Sequence, residues 1–501
     1  MSEIQYTPEQ QSVLTAEGKI IVSASAGSGK TFVMIERIIE KILSGAEVER
    51  MLALTFTKKA ASQMREKIQK SIIKKLNHAQ TSVQEREMLK RQLNRLPLAQ
   101  ISTIHAFCAN FIRSHFFLTD VDGAFDIISD DDADGKSLQS LALEQIFFEA
   151  YEQKDEGFLH LLSIYFRKKK DEKLKEIICS LYKSLRTQAD YRTFLQSVKN
   201  GDATNFESVC EQLLEYAQNE CAYLKERLNS LQPLLENYNN RNTVELIRQM
   251  LEFLHTVSEQ TSYFDFCKLP MPEFKRKEVI RSADRIQEKN LVEEVAFYKT
   301  ALTDLCKEHL QAAPSFFTEE QSRFDCAKHT ASLLAEFVLR FDERYTSLKR
   351  ERAKLDYNDL EHITLSLLSV EGVAKEMREK FDYVFVDEYQ DVNPVQEKII
   401  SLVSGQNVFL VGDVKQSIYA FRGSKSVYFT QKQAEYAKDG TSLFLTSNFR
   451  SANSVLSAVN KVFSRAMTPS LSGIDYAQKP MQGGEGYQGN QGRVLVHLLS
   501  E

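Results

Sequence analysis

The sequence predicts an α/β fold in which a parallel sheet wrapped by helices carries a large all-helical insertion. Three observations predict it. Short apolar runs alternate with helical stretches near the N-terminus and again after residue 380. A loop of small residues joins the first of those runs to a helix. Between the two α/β stretches, residues 114–354 are sparse in Gly and Pro and rich in Leu, Glu, Lys and Phe.

The first α/β stretch runs from Thr7 to Arg113. Lys19-Ile20-Ile21-Val22-Ser23 reads as a strand, and a helical stretch follows from Thr31 to Leu43. Met51-Leu52-Ala53-Leu54-Thr55-Phe56 reads as the next strand, followed by a helix carrying Lys and Arg. The second stretch, Phe381 to Ser447, holds Tyr383-Val384-Phe385-Val386, Val408-Phe409-Leu410-Val411 and Leu443-Phe444-Leu445. Strands buried on both faces have this near-continuous apolar character. Inside the insertion, Leu143, Ile146, Phe147 and Ala150 follow the i, i+3, i+4, i+7 spacing of an amphipathic helix. The run Arg167-Lys168-Lys169-Lys170 reads as a solvated helix face, with contact to a nucleic-acid backbone as the alternative. After Asn448-Phe449-Arg450-Ser451 come a helical stretch, a Gly- and Gln-rich loop over residues 478–492, and a strand over Arg493-Val494-Leu495-Val496-His497-Leu498-Leu499. Such a strand needs neighbours, so the expectation is that the chain ends inside a further domain and is a fragment.

Composition bounds the answer without choosing it. At 501 residues the chain is long enough for two to four domains. Hydrophobic residues make up 43% and charged residues 27%, an ordinary globular mix. The net charge of -5 lends no support to nucleic-acid binding, so any such contact must come from a local surface. The seven cysteines form no CxxC pair, which argues against a zinc site or a disulfide framework and for thiols in a reducing cytoplasm. The N-terminus is polar, and no apolar run reaches the length of a membrane span; no membrane association is expected.

The chemistry begins at Ala24-Ser25-Ala26-Gly27-Ser28-Gly29-Lys30-Thr31, between a buried strand and a helix. In that context the pattern is a phosphate-binding loop. Small residues let backbone N–H groups close around phosphate oxygens, and the helix N-terminus adds its positive end. Lys30 would reach the β- and γ-phosphates of ATP, and the Thr31 hydroxyl would ligate Mg²⁺. The first glycine of the usual pattern is replaced by Ala24, which is tolerable where φ is negative. Such a loop needs a carboxylate at the end of a nearby strand and a group to activate water. Val386-Asp387-Glu388 supplies both: Asp387 for the metal, Glu388 for the water.

The acidic segment is one of an ordered set of motifs. They are Thr7-Pro8-Glu9-Gln10, the run from Leu54 through Phe56-Thr57-Lys58 to Arg65, Ile101-Ser102-Thr103-Ile104-His105-Ala106-Phe107, Asp387-Glu388-Tyr389-Gln390-Asp391, the run from Val411 through Gln416 to Gly423, and Asn448-Phe449-Arg450-Ser451. Together they resemble the Q motif and motifs Ia, Ib, II, III and IV of the superfamily 1 helicases of the UvrD/Rep/PcrA type. The resemblance implies a RecA-like ATPase lobe and the start of a second such lobe. It implies that Gln10 reads adenine, Phe449 stacks on it in place of the usual Tyr, Gln416 senses the γ-phosphate, and Arg450 acts as an arginine finger. It also implies that Phe56 and Phe421 stack on bases of single-stranded DNA, Phe421 standing where Trp is common. Thr57, Lys58, His105 and Arg422 would make backbone or linkage contacts.

Three details are similar to the AddA (RexA) branch of bacterial helicase–nucleases: the long insertion, the Ser-Ala-Ser-Ala-Gly-Ser-Gly-Lys-Thr loop, and Leu355-Asp356-Tyr357-Asn358-Asp359-Leu360-Glu361-His362 before motif II. That likeness implies 3′-to-5′ movement, action on DNA ends in recombinational repair, an AddB (RexB) partner, and a nuclease domain beyond this chain. The expected division is 1–113 with 355–443 as the first lobe, 114–354 as the insertion, and 444–501 as the truncated second lobe. A stand-alone helicase, and an ATP- and DNA-binding module without turnover, remain the alternatives.

Overall fold

The computed structural model describes residues 6–78, 81–165, 171–238, 240–274, 286–310, 316–420, 423–424, 426–467 and 474–484. The strands among them are β1 (Lys19–Ala24), β2 (Met51–Thr55), β3 (Gln100–Thr103), β4 (Asp126–Ile128), β5 (Lys354–Asp356), β6 (Tyr383–Val386), β7 (Val408–Gly412), β8 (Thr441–Leu445), β9 (Ser447–Asn448) and β10 (Gln482–Gly483). Six of them form one parallel sheet in the order β3-β2-β6-β7-β1-β8. Its central strands are apolar on both faces because helices cover both. Ile20, Val22, Leu52, Val384, Phe385, Leu410 and Val411 are all nearly inaccessible. Burying each such side chain fully contributes about 1.5–3 kcal/mol.

The helices before the second α/β stretch are α1 (Pro8–Thr15), α2 (Lys30–Leu43), α3 (Lys58–Leu76), α4 (Val83–Arg95), α5 (Ile104–His115), α6 (Ala133–Glu152), α7 (Glu156–Tyr165), α8 (Glu172–Leu185), α9 (Tyr191–Asn200), α10 (Phe206–Glu236), α11 (Arg241–Ser258), α12 (Tyr263–Cys267), α13 (Ile286–Leu310) and α14 (Phe316–Arg350). Then come α15 (Tyr357–Leu368), α16 (Glu371–Lys380), α17 (Pro394–Val403), α18 (Ser426–Asp439) and α19 (Asn453–Ala466). On α6 the expected stripe of Leu143, Ile146, Phe147 and Ala150 is buried. Arg167–Lys170 and the strand expected over 493–499 lie outside the described residues.

By compactness the chain has two units. One comprises residues 1–195, 336–463 and 478–501; the other comprises 196–335 and 464–477. The second unit has its own core, in which Leu224, Leu228 and Leu231 of α10 meet Ile247 and Met250 of α11 and Leu302 of α13. The unit boundaries at 195 and 336 fall within the stretch that composition sets apart as 114–354.

In a parallel sheet every strand ends at the same edge, and ligands bind outside the carboxyl ends. The loop at Ser25 follows β1, Phe56 follows β2, His105 lies just after β3, Asp387 follows β6, Asp413 follows β7, and Asn448 lies just after β8. These six segments are thus gathered along one edge by topology.

Candidate nucleotide and nucleic-acid site

The loop after β1 is shaped by two glycines with positive φ, Gly27 at 72° and Gly29 at 87°. Gly29 is the N-cap of α2 and offers no side-chain cap, so the first amides of that helix stay available to an anion. At Gly27 a Cβ would come within 2.8 Å of both Arg450 Cβ and Asn448 Nδ2. Ala24 is the last residue of β1 and is not among the positive-φ residues, which is why alanine serves there. Ala26 O accepts from Asn448 Nδ2 at 2.6 Å, and Gly27 O accepts from Phe449 N at 2.9 Å. Phe449 and the exposed Arg450 are thereby held against the loop.

Gln10 reaches the same loop from α1, donating through Nε2 to Ser28 O at 3.4 Å. Thr7 and Gln10 form a capping box at the start of α1. At the other end of that helix the buried Arg37 guanidinium donates to Val13 O, Leu14 O and Ala16 O. Glu9 adds a link to the segment after β8, accepting from Thr446 N at 2.9 Å and Thr446 Oγ1 at 2.6 Å.

Lys30 Nζ lies 2.9 Å from Glu388 Oε2. Burial acts to raise the Glu388 carboxyl, but Lys30, with a hydrogen bond from Gln390, brings it below its ordinary range. Asp387 is buried next to it; burial first, then the Glu388 charge, push it up to about 6. Asp391 is likewise pushed up to about 6, by burial and then by Glu388. Glu388 itself has φ of 53°, a left-handed conformation that costs a non-glycine residue energy and clusters at functional sites.

These residues fit Mg²⁺ and a phosphate chain. Asp387 and Glu388 follow β6 with Glu388 beside Lys30, and carboxylate oxygens are the donors that suit Mg²⁺. Ser28 Oγ is buried and finds no hydrogen-bond partner among the described residues. Thr31 stands in the first turn of α2 beside Lys30.

Gln390, to which the sequence assigned no role, ties these groups together. Its Nε2 donates to Glu388 Oε2 at 2.9 Å, and its Oε1 accepts from Asp413 N at 2.9 Å. Gln416 Nε2 donates to Asp413 Oδ2 at 2.6 Å, so Gln416 connects to the acidic motif through Asp413 and Gln390. Lys415 was missed as well: its Nζ lies 3.1 Å from Ser25 Oγ in the phosphate loop.

Along the same sheet edge opens a cleft of about 830 Å³, lined by Phe56, Lys58, His105, Tyr357, Asp387 and Glu388 among others. Phe56 lies against Tyr419, ring centroids 4.6 Å apart. Thr57 caps α3, accepting from Ala60 N, and Lys58 is exposed. His105 rests on Tyr357 at 4.9 Å and reaches Glu361 Oε1 through Nε2 at 2.8 Å. Tyr357 and Glu361 are one helical turn apart on α15. The sequence marked their segment without seeing what it faces. Phe421 and Arg422 lie outside the described residues.

Residues 6–437 match the family model of the UvrD/REP helicase N-terminal domain. The chain belongs to the UvrD/REP helicase family. Among curated proteins this family member is 32% identical to an ATP-dependent helicase/nuclease subunit of Pediococcus pentosaceus, over 95% of this chain and 40% of that protein. Identity to the protein of the same name from Alkaliphilus oremlandii is also 32%, over 95% of this chain and 40% of the relative. For the Enterococcus faecalis protein of that name the values are 32%, 94% and 39%. The chain therefore spans about two fifths of the length of these relatives. Among the described residues, no helix is long and apolar enough to cross a membrane.

Proposed function

We propose that this chain is the ATP-driven motor part of a 3′-to-5′ DNA helicase, within a heterodimeric helicase–nuclease that processes DNA double-strand ends for recombinational repair. One observation carries the reading: the carboxylates suited to ATP and the aromatic and basic groups suited to a single strand line one cleft. A motor needs that arrangement, because movement on the polymer must be felt at the phosphates.

On this reading Gly27, Ser28 and Gly29 cradle the phosphates, Lys30 holds the γ-phosphate, and Gln10 and Phe449 hold the adenine. Thr31 and Asp387 hold Mg²⁺, which when bound neutralises phosphate charge. Glu388 leaves its pairing with Lys30 and orients the attacking water. Gln416 registers the γ-phosphate through Asp413 and Gln390, and Arg450 stabilises charge on the transferred group. Phe56, with Phe421 outside the described residues, stacks on bases; stacking ignores sequence, as a translocating motor requires. Thr57, Lys58, His105 and Arg422 follow the backbone. The first lobe is 1–113 with 355–443, the insertion is 114–354, and a second lobe starts at 444. The partner is AddB (RexB), and the names of the relatives support that reading, since each is called one subunit of a larger enzyme. The cysteines, all free and four of them buried, fit a reducing cytoplasm.

The test uses the full-length natural protein with any partner that co-purifies. Single-stranded DNA should accelerate ATP hydrolysis, and duplexes with a 3′ overhang should be unwound in preference to those with a 5′ overhang. Lys30→Ala should abolish both activities. ATP turnover surviving that change would mean the phosphate loop is misread. Nucleotide binding without turnover in the wild type would instead favour the binding module. Unwinding without nuclease activity or a second protein would favour the stand-alone helicase.

A further inference from the structure

Glu361 has no part in the motif scheme, yet it is among the most deeply buried carboxylates of the chain, 1% exposed. A carboxylate in that position is costly unless it is paired and hydrogen-bonded. Its two oxygens are fully used. Oε1 accepts from His105 Nε2 at 2.8 Å and from Gln396 Nε2 at 2.6 Å. Oε2 accepts from Asn393 Nδ2 at 3.1 Å. Among the described residues, the basic group it pairs with is His105.

The three donors come from two places that matter. His105 stands in the first turn of α5 and edges the cleft, its side chain about one third exposed. Asn393 and Gln396 form the capping box of α17, each side-chain oxygen accepting from the other's backbone N–H. Their amide NH₂ groups remain, and both point at Glu361. The carboxylate therefore sits at the N-terminus of α17, where the helix dipole favours an anion. Despite burial it is held below its ordinary range, by His105 and then by Gln396 and Asn393. The cap of that helix, Asn393, stands two residues after Asp391, the last residue of the acidic motif.

We infer that Glu361 is a positioning residue that couples occupancy of the polynucleotide cleft to the acidic segment of the ATP site. This rests on the motor reading above and deepens it. A strand lying in the cleft meets His105, which cannot shift without disturbing the carboxylate. The carboxylate cannot shift without disturbing the cap of α17, and α17 fixes where the acidic motif ends. Glu361 is too buried to hold the polymer itself, so its influence passes through His105.

The experiment compares ATP turnover of the full-length natural protein with and without saturating oligo-dT, for wild type and Glu361→Gln. The substitution keeps the shape and removes the charge. Expected is a DNA-free rate within about twofold of wild type, with the stimulated rate at least tenfold lower. Glu361→Asp, which keeps the charge, should recover part of the stimulation. A Glu361→Gln protein stimulated like wild type would overturn the coupling, as would parallel loss of the basal and stimulated rates. Hydrogen exchange on the wild type provides a measurement that no misfolded variant can spoil. Adding oligo-dT should slow exchange at residues 393–397 together with residues 104–107; a response at 104–107 alone would also overturn the coupling. A wild type that turns over ATP but ignores DNA would sink the motor reading itself, whereas a stimulated wild type matched by Glu361→Gln sinks only this coupling.

Discussion

In the loop after β1 the chain arranges mainly backbone; along the cleft it arranges side chains. The Ala24–Thr31 loop depends on two positive-φ glycines, the uncapped first turn of α2, and carbonyl oxygens pinned by Asn448 and Phe449. The cleft depends on individual side chains, Phe56 against Tyr419 and His105 against Tyr357 and Glu361, delivered by segments far apart in the chain. A turn shaped by backbone tolerates side-chain change so long as its conformation survives, as Ala24 illustrates. A site made of side chains fails one residue at a time. The difference can be tested from both sides.

The largest effect is expected at Arg450, the proposed arginine finger. Arg450→Ala should lower kcat for ATP hydrolysis by roughly 10³–10⁵ while leaving nucleotide binding largely intact. A fall of less than tenfold would remove Arg450 from the transition state. Next is Glu388→Gln, which removes the group proposed to orient water. General-base losses are typically about 10²–10⁴-fold, read as kcat under saturating ATP and Mg²⁺. On the cleft side, Phe56→Ala should weaken single-strand binding by about 1–3 kcal/mol and leave nucleotide affinity unchanged, as measured by fluorescence titration. If nucleotide affinity moved equally, the two sides would not be separable.

Gly27→Ala probes the backbone directly. The new Cβ would sit at φ 72° and 2.8 Å from Arg450 Cβ. A left-handed alanine costs roughly 1–2 kcal/mol before the clash is counted, so both Tm and ATP affinity should fall. The smallest effect concerns acid stability. Asp359 and Glu361 are buried and held below their ordinary ranges, Asp359 by Lys349 and Arg186 against the opposing effect of burial. Their contribution is complete above the unfolded values of about 3.9 and 4.3, and is lost as pH falls through the lower folded values. Thermal melts taken downward from pH 6 should begin to show the loss only below about pH 4 and show it continuing under about pH 3, and Asp359→Asn should flatten it.

Much of this architecture is legible in the residues. The apolar runs at 19–23, 383–386 and 408–411 fall within β1, β6 and β7, because a strand covered on both faces admits almost nothing else. The stripe on α6 is buried as its spacing requires. Less legible were the roles of Gln390, Lys415 and Glu361. Each is a polar residue whose neighbours are remote in sequence: Gln390 beside Asp413, Lys415 beside Ser25, Glu361 beside His105. Helical spacing sets Glu361 on the face of Thr364, Leu365 and Leu368, but not which distant groups satisfy its charge. The same limit applies to the units, whose boundaries at 195 and 336 follow packing rather than composition.

By itself the sequence determined the α/β class, because apolar periodicity is a short-range pattern, and its ordered motifs carried the resemblance to the UvrD/REP helicases that the family model bears out. Only the tertiary structure decided that Asn448 and Arg450 lie against Gly27, that Lys30 pairs with Glu388, and that His105 and Glu361 share a hydrogen bond across 256 residues of chain. The physical reason is that a hydrogen bond or an ion pair acts only over a few ångströms. Which distant residues come that close is set by the order of strands in the sheet.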